Sequence, residues 1–172
     1  MAPVSLPSAL EGAVAADWLR ETLAHCQGDS RCVMEQLALA HAHECCVPCI
    51  PENMLSVDCL PGRRLLQVVD GADIGRKHDE QDRPPGKRTL KLCLTDGARY
   101  AFAVERKPMS DALSGTHGVK IICQDVPVRM GHLLLTPRNT FVVGGGCDFK
   151  VTARGPVAHD QQSQLSRANS SS

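Results

Sequence analysis

Residues 90–146 alternate and turn in a way that few folds accommodate. Leu90, Leu92 and Leu94 alternate with Lys91, Cys93 and Thr95, so a strand here has one apolar and one mixed face. Asp96-Gly97 follows and predicts a two-residue hairpin of type I′, in which both central residues need positive φ. The return strand is expected over 98–105, with Tyr100, Phe102 and Val104 on one face and in the core beside the three leucines. Further strands are expected over 119–124, 126–135 and 140–143. Gly131 suits a bulge or barrel corner. So does the run Gly144-Gly145-Gly146, read as a barrel-closing turn. An earlier strand over 65–69, opened by Pro61-Gly62, completes the outline of a small five-stranded Greek-key barrel of the OB type.

The segment before the barrel has the other period. Residues 8–47 read as helical, starting from a capping box at Ser8-Ala9-Leu10-Glu11. Val14, Trp18, Leu19, Thr22 and Leu23 fall on one helix face. Gln27-Gly28-Asp29-Ser30 breaks the pattern and offers a new cap, after which Val33, Leu37, Ala40 and Cys45 continue it until Pro48 and Pro51. The fold class is therefore mainly β with an α-helical N-terminus. The expected organisation is a helical region over 1–60, a barrel over 61–150 and a polar, disordered tail over 151–172. Within the barrel, 73–88 is a charged insertion with few apolar side chains after Ile74 and a Pro84-Pro85-Gly86 break. A loop of that length is functional or disordered.

Composition narrows the function. Nineteen basic and nineteen acidic residues leave no net charge, so a uniformly basic nucleic-acid binder is not indicated. One Trp, one Tyr and three Phe are few rings for gripping single strands by stacking. Binding of nucleic acid by the chain alone is expected to be weak and salt-dependent. No stretch is long and apolar enough to span a membrane, and Met1 to Leu10 has no secretory pattern. The nine cysteines are then expected as reduced thiols.

Three chemical readings compete with plain structural ones. Cys46-x-x-Cys49, with His41, His43 and Cys45 nearby, has knuckle spacing but no second C-x-x-C, so no metal site is expected. The triple glycine is followed by Cys147-Asp148-Phe149 rather than a Lys-Ser/Thr helix start, so it is not a phosphate loop. No G-x-S-x-G elbow or carboxylate pair marks a reaction centre, and no enzyme and no cofactor are expected.

The L-T-D-G element and the later G-x-L-L-L-x-P-x-N element also carry a resemblance. Leu92, Leu94, Asp96 and Gly97, then Glu105 and Pro108, then Gly131, Leu133, Leu135, Pro137 and Asn139, then Gly144 and Gly145, closely resemble the N-terminal OB domain of the RecQ-mediated genome instability protein 1 family. The related OB domain of Tudor domain-containing protein 3 is the nearest alternative. The resemblance implies a small helical bundle packed on the barrel and a non-catalytic, nuclear partner of topoisomerase III, acting with a RecQ-type helicase. Such a complex would resolve double Holliday junctions and other linked strands. It also implies that the loop after the first strand reaches the topoisomerase gate. Here that loop supplies Ile74, Gly75, Arg76, Lys77, Arg83, Pro84, Pro85, Lys87 and Arg88. The alternatives are an autonomous nucleic-acid-binding OB protein and a Tudor-protein-like topoisomerase partner acting on RNA. This chain departs from the family at Arg106, where a Tyr is frequent, and around 114–120, where extra residues stand. No second barrel pattern follows residue 150.

Overall fold

A computed structural model describes residues 10–75, 88–113 and 117–147. Three helices come first: α1 (Ala16–His25), α2 (Ser30–Leu39) and α3 (Ala42–Cys45). Six strands follow: β1 (Cys59–Asp73), β2 (Leu90–Thr95), β3 (Tyr100–Glu105), β4 (His117–Arg129), β5 (His132–Leu135) and β6 (Thr140–Cys147). β1 pairs antiparallel with β2 and β4, β2 with β3, β3 in parallel with β5, and β5 with β4. That circuit closes a five-stranded barrel of the expected OB type. β6 extends it by pairing with the first half of β4.

The barrel curves where the ladders slip. β1 and β4 shift register between Leu60 and Arg63, where Gly62 has φ +73° and its N–H donates to Asp125. Pro61-Gly62 thus sits in a bulge inside β1 and does not open the strand. A bulge of this kind bends and twists its strand, which a closed barrel needs. The predicted strand over 126–135 is in fact two, parted at Met130-Gly131. Both residues have positive φ, and Arg129 pairs with His132 across the turn. This is the two-residue reversal with two left-handed residues. The triple glycine runs within β6 and makes no turn.

Leu90, Leu92 and Leu94 are fully buried, each burial contributing about 1.5–3 kcal/mol. Their expected companions are not. Tyr100 is 68% and Phe102 51% exposed, and it is Ala101 and Ala103 that face inward, opposite Leu94 and Leu92. The β2–β3 connection also differs from the type I′ expectation. Thr95 pairs with Tyr100 across the four residues 96–99, and Gly97 alone of these has positive φ.

The helical region is a cap. Helix α1 starts at Ala16, not at residue 8, because Gly12 in the left-handed region makes 10–13 a turn. Ser8 and Ala9 lie outside the described residues. Gln27 and Gly28 then reverse the chain, and Asp29 caps α2 by accepting from the Arg31 N–H. This reversal brings the Cys26 and Cys32 Cα atoms to 5.6 Å, and the two sulfurs are joined as a disulfide, against the expectation of reduced thiols. Leu10, Val14, Val33, Leu37 and Cys45 pack with Leu65 of β1 and Ile122 of β4, forming a second core between cap and barrel.

Candidate functional site

Two buried carboxylates organise the opposite ends of β2: Asp96 where the β2–β3 hairpin meets the cap, and Glu105 at the base of the β1–β2 loop. Asp96 is only 1% exposed. Its Oδ2 accepts from the N–H groups of Cys49 and Ile50, both at 2.7 Å, and its Oδ1 from Ala98 at 2.9 Å and Arg99 at 2.7 Å. Burial raises its pKa, but the four N–H donors outweigh it and hold the carboxyl below its ordinary value. Beside it, Gly97 touches α3: a Cβ there would lie 2.6 Å from His43 Cα and 2.7 Å from the Ala42 oxygen. The L-T-D-G motif is therefore the joint between hairpin and cap.

Glu105 is the second. Its side chain is fully buried, and Arg88 meets it with two hydrogen bonds, Nη2 to Oε1 at 2.9 Å and Nε to Oε2 at 3.2 Å. Arg88 also reaches Asp111 at 2.7 Å and the Ser110 carbonyl at 3.2 Å. The Glu105 hydrogen bond leads the interactions that push the guanidinium pKa up. Glu105 Oε1 further accepts from Met109 N–H at 2.8 Å, so it holds the segment beginning at Pro108 as well. Bidentate pairing of this kind fixes geometry as well as charge.

These contacts set the base of the loop. β1 and β2 remain paired out to Asp73 and Leu90. Ile74 N–H donates to the Thr89 carbonyl at 2.8 Å, and Asp73 accepts from Gly75 and Thr89. The paired stem on either side of the insertion is thus latched up to Gly75 and from Arg88 onward. Ile74 is 57% exposed beside Gly75 at its start. Arg88, expected to face a partner, is turned inward to Glu105. Arg76, Lys77, Arg83, Pro84, Pro85 and Lys87 lie outside the described residues.

The other motif residues are structural supports. Leu133 and Leu135 are buried in the barrel core. After Leu135, Asn139 closes the Pro137 turn: its Oδ1 accepts from Thr136 N–H and its Nδ2 donates to the Leu134 carbonyl. A Cβ at Gly131 would come within 3.1 Å of Leu55. Gly144 and Gly145 have φ +118° and +87°, and a Cβ at Gly145 would lie 2.4 Å from the Ala38 oxygen of α2. The same end of α2 receives a hydrogen bond from the buried Lys120 amine, 3.3 Å from Ala38 O. A cation suits the carbonyl end of a helix.

The cysteine cluster is absorbed into the cap. The Cys45 thiol donates to the His41 carbonyl, and His41 N–H donates to Glu44. The Cys45 pKa is lowered, first by the hydrogen bond from Cys46, whose own thiol that bond pushes up. Burial, then the nearby Asp96 charge, pushes Cys49 to about 11. Among the described residues no group of three or more His, Cys, Asp or Glu is placed to hold a metal ion. No helix of the described residues is long and apolar enough to cross a membrane.

Sequence reasoning missed the Arg88–Glu105 pair and the outward rings of β3. A signal for the rings existed in the alternation itself, since Ala101 and Ala103 form the other face of β3 and are the ones buried opposite the leucines.

The family described as RMI1, N-terminal OB-fold domain, matches residues 61–154. The chain is 35% identical over 102 residues to RecQ-mediated genome instability protein 1 of Arabidopsis thaliana, covering 56% of this chain and 16% of that protein. To the protein of the same name in Oryza sativa subsp. japonica it is 30% identical over 137 residues, 76% of this chain and 16% of that one. Tudor domain-containing protein 3 of Xenopus tropicalis is 33% identical over 91 residues, 52% of this chain and 13% of that one. The chain thus spans about a sixth of the length of the two plant relatives. The matched region is the barrel whose closure, buried Glu105 and glycine-lined joints are described above, and the chain belongs to the RecQ-mediated genome instability protein 1 family through its N-terminal OB-fold domain.

Proposed function

We propose that this chain is a non-catalytic scaffold or regulatory subunit in nuclear genome maintenance, joining topoisomerase III to a RecQ-type helicase and promoting decatenation and double Holliday junction dissolution. The observation that carries the reading is the family match across the whole closed barrel. The hairpin geometry supports a mechanical role. A latched stem, with Asp73 and the Arg88–Glu105 pair at its base, gives the insertion a rigid root. A loop held this way can bias a partner between open and closed states only by binding one of them better. Contact with DNA is a minor part of this reading. A Tudor-protein-like role with the same enzyme class is the second reading, favoured by the 33% identity to Tudor domain-containing protein 3.

The test is co-purification of topoisomerase III with the full chain, followed by decatenation assays with and without residues 76–85. Removing those residues leaves the Ile74–Thr89 latch in place. Closure entropy changes slowly with loop length, so stability should shift by about 1 kcal/mol or less. Binding should fall in part and stimulation of decatenation should fall further. Equal stimulation by both proteins assigns the insertion a linker role and moves the functional surface to the barrel or cap. Failure of the enzyme to co-purify overturns the reading altogether.

A further inference from the structure

Cys26 and Cys32 are the one cysteine pair joined among the described residues, where Cys45, Cys46, Cys49, Cys59, Cys93 and Cys123 are free. Cys26 is the residue that ends α1, and Cys32 lies in the first turn of α2. Both belong to the joint between cap and barrel. Cys26 is 6% exposed in the core that Leu10, Val33 and Leu37 form with Leu65 and Ile122, and Cys32 packs against that core. The bridge therefore straps α1 to α2 at the place where the cap is held to the barrel.

The reversal that presents the two cysteines to each other does not depend on their bond. Gly28 N–H donates to the Leu23 carbonyl at 3.0 Å, and Asp29 N–H to the Cys26 carbonyl at 2.9 Å. On the other side, Val33 N–H donates to the Asp29 carbonyl at 3.0 Å, and the Asp29 carboxylate caps α2 through the Arg31 N–H. Gln27 and Gly28 supply the left-handed residues that end α1. With this backbone in place the two Cα atoms stand 5.6 Å apart, inside the range that a disulfide spans. Dithiol and disulfide are thus two states of one backbone. They differ inside the core, because two thiols need van der Waals separation where the bridge needs only a bond length. A close-packed interior responds to a change of that size.

We propose that Cys26 and Cys32 form a reversible thiol–disulfide site, exchanging with small-molecule disulfides of the glutathione class and setting how firmly the helical cap holds the barrel. Cys32 is the exchanging sulfur. It is half-buried where Cys26 is buried, and its place in the first turn of a 10-residue helix favours the thiolate. On oxidation the Cys32 thiolate attacks one sulfur of glutathione disulfide and expels a glutathione thiolate. The Cys26 thiolate then attacks Cys32 Sγ of the mixed disulfide and expels the second. The two cysteines lose two electrons and two protons, and the two glutathione thiols take them up. Reduction runs the same steps backwards. Buried thiols elsewhere are poorer partners: burial pushes Cys93 up and Cys123 up to about 12, so both stay protonated. The exchange is independent of the topoisomerase reading.

The experiment equilibrates the full chain in glutathione buffers from fully reducing to fully oxidising, quenches by alkylation and maps the peptides around residues 26 and 32 by mass. The linked pair should form and disappear across the series while circular dichroism shows the chain folded throughout. The oxidised form should melt higher by roughly 5–10 °C, as closing a short loop does in a chain of this size. Its α1 and α2 amides should exchange more slowly with deuterium, while those of β2 and β3 keep their rates. The Cys26→Ala/Cys32→Ala variant should show no response to glutathione and melt no higher than the reduced parent. A bridge that opens only once the chain is unfolded is a permanent staple and overturns the proposal. So does a pair that stays dithiol in every buffer, a mixed disulfide with glutathione that never closes, or equal melting of the two forms of the parent.

Discussion

Asp96 shows how much one side chain can hold at this scale. Four backbone N–H groups from two parts of the chain depend on its two oxygens. Asp96→Ala should destabilise by several kcal/mol, since each buried donor left without an acceptor costs about 1–3 kcal/mol. The pH dependence follows from the same contacts. The folded carboxyl titrates below its ordinary 3.8, so its contribution is complete above that value and is lost as pH falls from there through the lower, folded pKa. Asp96→Asn should therefore melt lower at neutral pH and lose less further stability on acidification than the parent. Parallel acid curves in the two proteins would contradict this account. Arg88 offers a sharper case. Arg88→Ala leaves the buried Glu105 carboxylate without its cation, and an orphaned buried charge costs about 3–5 kcal/mol. Arg88→Met with Glu105→Leu removes both charges and should recover most of that loss in urea denaturation. A double variant as unstable as the single one would show that the pair matters for shape and not for charge.

At the scale of elements, the hairpins separate what is legible in the sequence from what is not. β2 is legible because apolar and polar residues alternate and the apolar ones are large. Leu92→Ala should cost about 2–5 kcal/mol, whereas Tyr100→Thr should change stability by less than about 0.5 kcal/mol. The opposite order in thermal melts would require the other register. β3 misleads because large rings usually bury, but in the observed register it is Ala103 and Ala101 that stand buried opposite Leu92 and Leu94. Turn chemistry misleads in the same way. Asp96-Gly97 carries the type I′ signal, yet Asp96 is committed to Cys49 and Ile50, and the chain needs four residues to reverse. The two-residue reversal falls instead at Met130-Gly131, which has only a glycine to announce it. The Arg88–Glu105 pair is invisible for a different reason. Arg88 ends a run of charges, and nothing local links it to a glutamate two strands away.

For the whole molecule, cap and barrel share too much surface to behave as separate units. Leu65 and Ile122 belong to barrel strands but are buried in the core formed with α1 and α2. Gly145 and the Lys120 amine both meet Ala38 of α2, and Gly97 meets α3. The family match begins at residue 61, but the physical unit begins earlier. A chain starting at Pro48 would keep the Cys49 and Ile50 bonds to Asp96 while losing all three helices. Leu65 and Ile122 would then face water, and the buried Lys120 would lose its carbonyl. Losing burial of two such side chains removes about 3–6 kcal/mol, a large part of the roughly 5–15 kcal/mol that holds a domain folded. The truncated chain should melt well below the full one, without a sharp transition, and should aggregate through the exposed apolar face. The full chain should unfold in one step, with ring and helix signals changing together. A truncated barrel that melts cooperatively at the parental temperature would show instead that the helices are an appendage, and that the joint at Asp96 and Gly97 serves only to position them.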